Sequence, residues 1–290
     1  MPTSSLPLLI HQRLKARLPS SPPCTLLYAN GERIGRLNES MQRALARWPH
    51  YFEVSPGRVD VSPTLNSAES RTKAFAEVVQ ALHDSGLITG WRNEQMPVRS
   101  DSGRTLLFVE RAALRPLGAE LRSVHLLGML AVHAAQDEAM WLARRSPNKT
   151  IDPNLLDTLV GGGIGGDMTA DETLVKEAWE EAGLRQEQLH GAIDTGQIRV
   201  QRAVAEGWHD ELIHTRALSL PPEFEPRNQD GEVSEFVLLP LNALLHRLAE
   251  TDDLTLDASC IICAYLMQRG LIGAQDKGCA KLRALIHATA

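Results

Sequence analysis

The chain reads as a mixed α+β protein of two units, residues 1–121 and 122–290, and three observations predict this class. Short alternating apolar runs flank Asn30-Gly31 and Pro56-Gly57, the turn chemistry of β-hairpins. The run Thr169-Ala-Asp-Glu172 is a capping box that opens a helix just after an apolar and glycine-rich stretch. Strand-like and helix-like segments do not alternate regularly, which favours segregated layers over a parallel α/β sheet.

In the first unit, LLYANGERIGRL and YFEVSPGRVDV each read as a hairpin. ESRTKAFAEVVQALHDSG places Phe75, Val78, Val79 and Leu82 at amphipathic helix spacing, with Gly86 as the stop. TGWRNEQMPVRS reads as extended chain, RSDSGR as a turn and RAALRPLGAEL as a short helix. In the second unit, VHLLGMLAVHA and AMWLARRS read as strands around an AAQDEA turn. LLDTLVGGGIGG reads as a strand running into a glycine loop, and TADETLVKEAWEEAGL as a helix closed by Gly183. QIRVQRAVAEGWHDELIHTRALSL supplies two or three strands and EVSEFVLLPL another, with helices over LNALLHRLAE, the cysteine segment and KLRALIH.

Composition narrows the function classes. Hydrophobic residues make up 43% and charged residues 23%, so a sizeable core is expected. A net charge of −6 with no basic block argues against a nucleic-acid or anionic-membrane surface. ASCIICAYLM is about half the length of a membrane span, and the N-terminus lacks the pattern of a signal peptide, so a cytoplasmic location is expected. Cys260 and Cys263 form C-x-x-C within an apolar helical segment without a second ligand pair, which reads as buried thiols rather than zinc or redox chemistry. His125, His133, His209 and His214 show no metal-ligand spacing.

KEAWEEAGL concentrates carboxylates. At 100° per residue, Glu177, Glu180 and Glu181 fall within one arc of about 100°, opposite Val175, Ala178 and Ala182. Like charges at i and i+4 repel, and a divalent cation such as Mg²⁺ or Mn²⁺ relieves that repulsion with the oxygen ligands it prefers. The alternative is a solvated acidic face. The adjacent GGGIGG allows close backbone approach and can present amides to an anion.

On these residues the sequence resembles the Nudix hydrolases, whose signature is G-x5-E-x7-R-E-U-x-E-E-x-G-U. Gly162, Glu177, Glu180, Glu181, Gly183 and Leu184 fall on signature positions, whereas Met168, Lys176 and Ala178 stand at the first glutamate, the arginine and the first aliphatic position. The resemblance implies a Nudix α/β/α sandwich carrying an N-terminal α/β domain. GWRNE, ERAALRPLG, VHLLG, WLARRSPNKTIDPNLLDTLVGGGI and NQDGEVSEF, in that order over about residues 85 to 270, are similar to the Nudix branch related to, and sometimes fused to, thiamine pyrophosphokinase. That likeness implies hydrolysis of a small-molecule diphosphate, thiamine diphosphate or its oxidised analogues, to the monophosphate. A nucleoside diphosphate derivative as substrate, or a module that binds a diphosphate without cleaving it, are the alternatives.

The resemblance implies that Glu177, Glu180 and Glu181 hold Mg²⁺, with Mn²⁺ as a substitute, and that a loop carboxylate completes the set. Glu232 or Glu235 fits that role as a further ligand or general base, with Glu232 preferred and Glu181 the other candidate base. Gly162 and Gly163 are expected to approach the substrate. Arg144, Arg145 and Lys149 are expected to follow the second Nudix strand in a loop that reaches the terminal phosphate, surface charge being the alternative. Glu172 serves the capping box or takes over part of the missing first glutamate's role. Trp91, Arg92, Asn93 and Glu94 line the cleft or dock the two units.

Overall fold

The structure is a computed structural model that describes residues 6–18, 22–130, 138–166, 168–273, 275 and 277–288. His133 and most of the AAQDEA turn lie outside the described residues. The first helix, α1 (Leu6–Arg17), packs against the C-terminal helices rather than the unit that follows it. The hairpin β1 (Thr25–Ala29) and β2 (Glu32–Leu37) turns at Asn30 and Gly31, both at positive φ (52° and 77°), as a two-residue hairpin of this hand requires. Helix α2 (Glu39–Leu45) leads to β3 (Phe52–Ser55) and β4 (Arg58–Val61), and the sheet order is β2-β1-β4-β3.

Helix α3 (Ala68–Asp84) is capped by Ser67 and Ser70 and buries Phe75, Val78, Val79 and Leu82, as their spacing predicts. The pair β5 (Gln95–Arg99) and β6 (Thr105–Glu110) follows, then a 3₁₀ turn over Arg111–Ala113 and the short α4 (Leu114–Leu117). These elements enclose one apolar cluster that includes Leu27, Ile34, Phe52, Phe75, Leu107 and Leu117.

The second unit is built on seven strands. Their order is β11 (Ile193–Val204), β12 (Gly207–Leu220), β7 (Leu121–Leu130), β8 (Ala139–Arg145) and β13 (Val233–Pro240), with β10 (Val160–Gly163) paired to β7 and β9 (Leu156–Asp157) paired to β8. β12 and β7 run parallel and the other pairs are antiparallel. Alternation along β7 splits the apolar residues between two faces. Val124 and Leu126 pack with α5 (Ala170–Ala182), whereas Leu127 and Met129 pack with α6 (Leu241–Glu250), α7 (Leu256–Gln268) and α8 (Lys277–Ala288). Helices therefore cover both faces, the sandwich expected of a Nudix domain.

Two expectations change, and α1 docks away from the unit in which it begins. The run Gly161–Gly163 is not a loop: it is strand β10, hydrogen-bonded to β7 in the register Gly162↔Val124. The segment from Gln197 to Leu220 gives two long strands, within the two or three expected, whereas LLDTLV splits into β9 and the start of β10. A boundary at residue 121 assigns α1 to the first unit, yet Ile10 and Leu14 are buried in the core beneath α6, α7 and α8. An apolar helix face joins whichever open core it reaches, irrespective of sequence distance.

The two units meet closely. Gly207 has φ +156°, and a Cβ there would lie 2.3 Å from the Arg115 carbonyl oxygen. This approach seats α4 against the β11–β12 turn and helps to roof a cavity between the units.

Candidate active site

Helix α5 starts and ends where its sequence dictates. The Thr169 hydroxyl accepts from the Glu172 amide, the Glu172 carboxylate accepts from the Thr169 amide at 2.8 Å, and Gly183 closes the helix in the left-handed region at φ +69°. Glu172 is therefore a capping residue. Leu174, Ala178 and Ala182 face the sheet, and the small alanines bring the helix close to β10 and β7.

The three glutamates have different surroundings. Lys176, at the signature's arginine position, donates to Glu180 at 2.6 Å and to Glu177 at 3.1 Å, so one ammonium bridges two of the three carboxylates. Glu177 presses on the backbone of β10: a Cβ on Gly162 would lie 2.2 Å from its Cγ. Glu181 turns inward, is 7% exposed, and accepts from the Gly161 amide at 2.9 Å. Burial pushes the Glu181 carboxyl up to about 8, with the Gly161 amide and Lys149 opposing, and burial also raises Glu177. An oxygen-only set of three carboxylates on a rigid helix, two of them gathered on one cation, fits a hard divalent ion.

On the other side of β10 lies a cavity of about 210 Å³. Gly161, Gly162 and Gly163 line it, so a strand without side chains is the wall between the cavity and the glutamates. Arg145, Lys149, Arg111 and Glu232 line the same cavity. Lys149 is ion-paired with Glu232, and burial lowers its pKa while the Glu181 charge opposes that. Arg145 holds Asp157 at 3.1 Å and the Ile151 carbonyl. Arg111 holds Glu94 at 2.8 Å, and its guanidinium would stand 3.4 Å from a Cβ on Gly163.

Not every expected residue joins this group. Arg144 and Arg145 are the last residues of β8 rather than part of the loop beyond it, and successive strand residues face opposite sides. Arg144 consequently pairs with Glu235 at 2.6 Å and with the Asn154 carbonyl, and neither Arg144 nor Glu235 lines the cavity. In GWRNE the two expected roles divide: Arg92 lines the cavity, whereas Trp91 packs on the first unit's core and against His83. Cys260 and Cys263 are buried in α7, and burial pushes the Cys260 thiol up to about 12.

Other lining residues carried no spacing signal. The His125 Nδ1 lies 2.8 Å from the Thr158 hydroxyl, which itself donates to the Val160 carbonyl. Nδ1–H is therefore the donor, and Nε2 is left as an acceptor. The Ser123 hydroxyl, on a residue only 2% exposed, lines the cavity and has no protein partner. His209, Glu211 and Asp257 also line it. Alternation in W-H-D-E puts His209 and Glu211 on one face of β12, but nothing local announces Asp257.

Residues 124–258 match the NUDIX domain, and residues 10–120 match a domain described as a domain of unknown function, DUF4743. Nudix hydrolase 20, chloroplastic, of Arabidopsis thaliana is 33% identical over 228 residues, covering 77% of this chain and 60% of that protein. Nudix hydrolase 24, chloroplastic, of the same plant is 31% identical over 248 residues, covering 84% and 67%. The chain thus spans about two thirds or less of the length of these relatives. The crystal structure of DR0079 from Deinococcus radiodurans superposes with a TM-score of 0.46 at 22% identity, over 61% of this chain and 98% of that one. None of these descriptions mentions thiamine. With the signature glutamates on α5 behind a glycine strand, and a relative at this identity over most of both chains, the chain belongs to the Nudix hydrolase family.

Proposed function

We propose that the protein is a divalent-metal-dependent pyrophosphohydrolase that uses Mg²⁺ or Mn²⁺ and converts thiamine diphosphate, or its oxidised analogues, to the monophosphate. The observation that carries this reading is the arrangement about β10, with three carboxylates behind the glycine wall and Arg145, Lys149 and Arg111 before it. Glu177, Glu180 and Glu181 would hold the metal, which when bound supplies charge neutralisation at phosphate and lowers the pKa of water. The thiamine end of the substrate rests on the family resemblance that the ordered motifs over residues 85 to 270 carry.

The chain's own residues supply the rest. Arg145 and Lys149 present donors to phosphate oxygens, as a guanidinium and an ammonium do in charge-assisted contacts. Glu232, beside Lys149, is the candidate base: it takes a proton from the attacking water as the new O–P bond forms and the bridging P–O bond breaks. Residues of the first unit, Leu114 and Ala119 among them, complete the cavity lining. The bridging of Glu177 and Glu180 by Lys176 favours a second reading, in which the site binds a diphosphate without cleaving it.

A hydrolysis panel with Mg²⁺ and Mn²⁺, its products resolved by chromatography, separates the readings. Thiamine diphosphate and its oxidised analogues should be cleaved to the monophosphate and phosphate faster than ADP-ribose or nucleotide sugars are cleaved to their two monophosphate esters. Glu180→Gln should lose about a hundredfold or more in turnover while keeping its unfolding midpoint, the scale of losing a metal-based electrostatic contribution. Full turnover by Glu180→Gln defeats the metal assignment, preference for nucleotides defeats the thiamine assignment, and thermal stabilisation without product establishes binding alone.

A further inference from the structure

The same cavity is also lined by a cluster that the hydrolytic chemistry does not use. His209 and Glu211 project from β12, and Asp257 comes from the first turn of α7, whose N-cap is Thr255. The His209 Nε2 lies 3.3 Å from Asp257 Oδ1 and 3.5 Å from Glu211 Oε2, and one ligating atom from each residue falls within 4.8 Å of the others. Such a trio suggests a metal, but Arg115 argues against one. Its Nη2 stands 3.2 Å from the His209 Nδ1, and a guanidinium only donates. Nδ1 is thus the acceptor, the proton sits on Nε2 facing Asp257, and no lone pair remains there for a metal.

The imidazole instead fixes carboxylates. Arg115 has Arg202, Asp257, Glu206 and Glu211 as charged neighbours, and Arg202 in turn reaches Asp152 at 3.5 Å. Two arginines stand against four carboxylates here, so carboxylates outnumber cations even with His209 counted as a cation. Glu211 is only 7% exposed and His209 2%, so the charge is held in a poorly solvated place where it attracts a cation strongly. The Ser123 hydroxyl, buried and without a protein partner, lines the same cavity and leaves a polar atom open to an occupant.

We infer that Glu211 and Asp257, oriented by the Arg115–His209 pair, form the subsite that recognises a cationic, amine-bearing head group on the diphosphate substrate. The inference rests on the hydrolytic reading of the cavity and names the residues that set its specificity. Glu211 and Asp257 accept hydrogen bonds from the head group; Arg115 and His209 are positioning residues.

Two arms test it. In the kinetic arm, thiamine diphosphate is compared with isopentenyl diphosphate, which has the same linkage and a neutral head. Asp257→Asn and Glu211→Gln should each lower the thiamine-to-isopentenyl ratio of kcat/KM at least about tenfold, through KM, the scale of one charge-assisted hydrogen bond. Glu235→Gln, outside the cavity, should keep the ratio. An unchanged ratio in both cavity variants overturns the inference.

In the binding arm, thiamine itself, which has no phosphate, should raise the Tm of the wild type and not that of either variant. Equal rises, or none in the wild type, overturn the inference. So does a Tm rise with Mn²⁺ alone that Asp257→Asn abolishes, because the trio would then be a metal site. Absence of phosphate release by the wild type would defeat the hydrolytic reading while leaving the binding arm to decide this one.

Discussion

Gly162 shows how a missing side chain can be a functional group. The Glu177 side chain occupies the space where any Cβ at residue 162 would lie, 2.2 Å from its Cγ. Gly162→Ala should displace Glu177 by about 1 Å and reduce metal-dependent turnover by roughly a hundredfold, measured as phosphate release. Gly161 has the same relation to His125, whose Cε1 lies 2.6 Å from its ideal Cβ. Glu181 makes a second prediction, about pH. Its ordinary value is 4.5 and burial pushes it up to about 8, so the folded state holds a proton that the unfolded state has released between those values. Stability with chelator present should therefore fall as pH rises through that window, and Glu181→Gln, which mimics the protonated acid, should flatten the dependence in urea titrations. A wild-type profile as flat as the variant's would show that the buried carboxyl does not titrate there.

At the level of elements, α5 is held by its ends as much as by its packing. The Thr169–Glu172 box satisfies amides that the first turn leaves open, and Gly183 places its own amide on the Ala178 and Trp179 carbonyls. Thr169→Ala should cost about 1 kcal/mol in chemical denaturation, because it removes the N-cap acceptor, while turnover stays within about twofold. A large loss of turnover at unchanged stability would mean that the helix start lies in the active site. Strand β10 contributes by having no side chains on three consecutive residues, so both the helix carboxylates and the cavity reach its backbone. Strand β8 sorts its two terminal arginines by alternation, Arg145 into the cavity and Arg144 onto Glu235.

For the molecule as a whole, the chain's first described helix stabilises the unit that carries the signature. Leu14 is 1% exposed in a core shared with Leu127, Met140, Ile213 and Leu282. Leu14→Ala should cost about 2–5 kcal/mol and lower the Tm of the signature-bearing unit, the usual penalty for emptying a well-packed leucine site. A drop confined to residues 22–120, followed by proteolysis or hydrogen exchange, would contradict this packing. The units also share the cavity: α4 and Arg92 on one side and β7, β10 and β12 on the other make a pocket that neither unit has alone.

What the sequence determined by itself is local. The Asn30-Gly31 turn, the capping box, the carboxylate arc of α5 and the apolar stripe of α3 all depend on residues within a few positions of one another, so spacing and turn chemistry suffice to find them. The family likeness rested on the same short-range pattern. Only the tertiary structure decided that the glycines form a strand, that Arg144 and Arg145 part company, that Glu232 meets Lys149 and that α1 crosses to the far core. It also brought Asp257 to His209, 48 positions away. Those contacts depend on how sheets stack and where helices dock, and no period in the sequence encodes a meeting between residues so far apart.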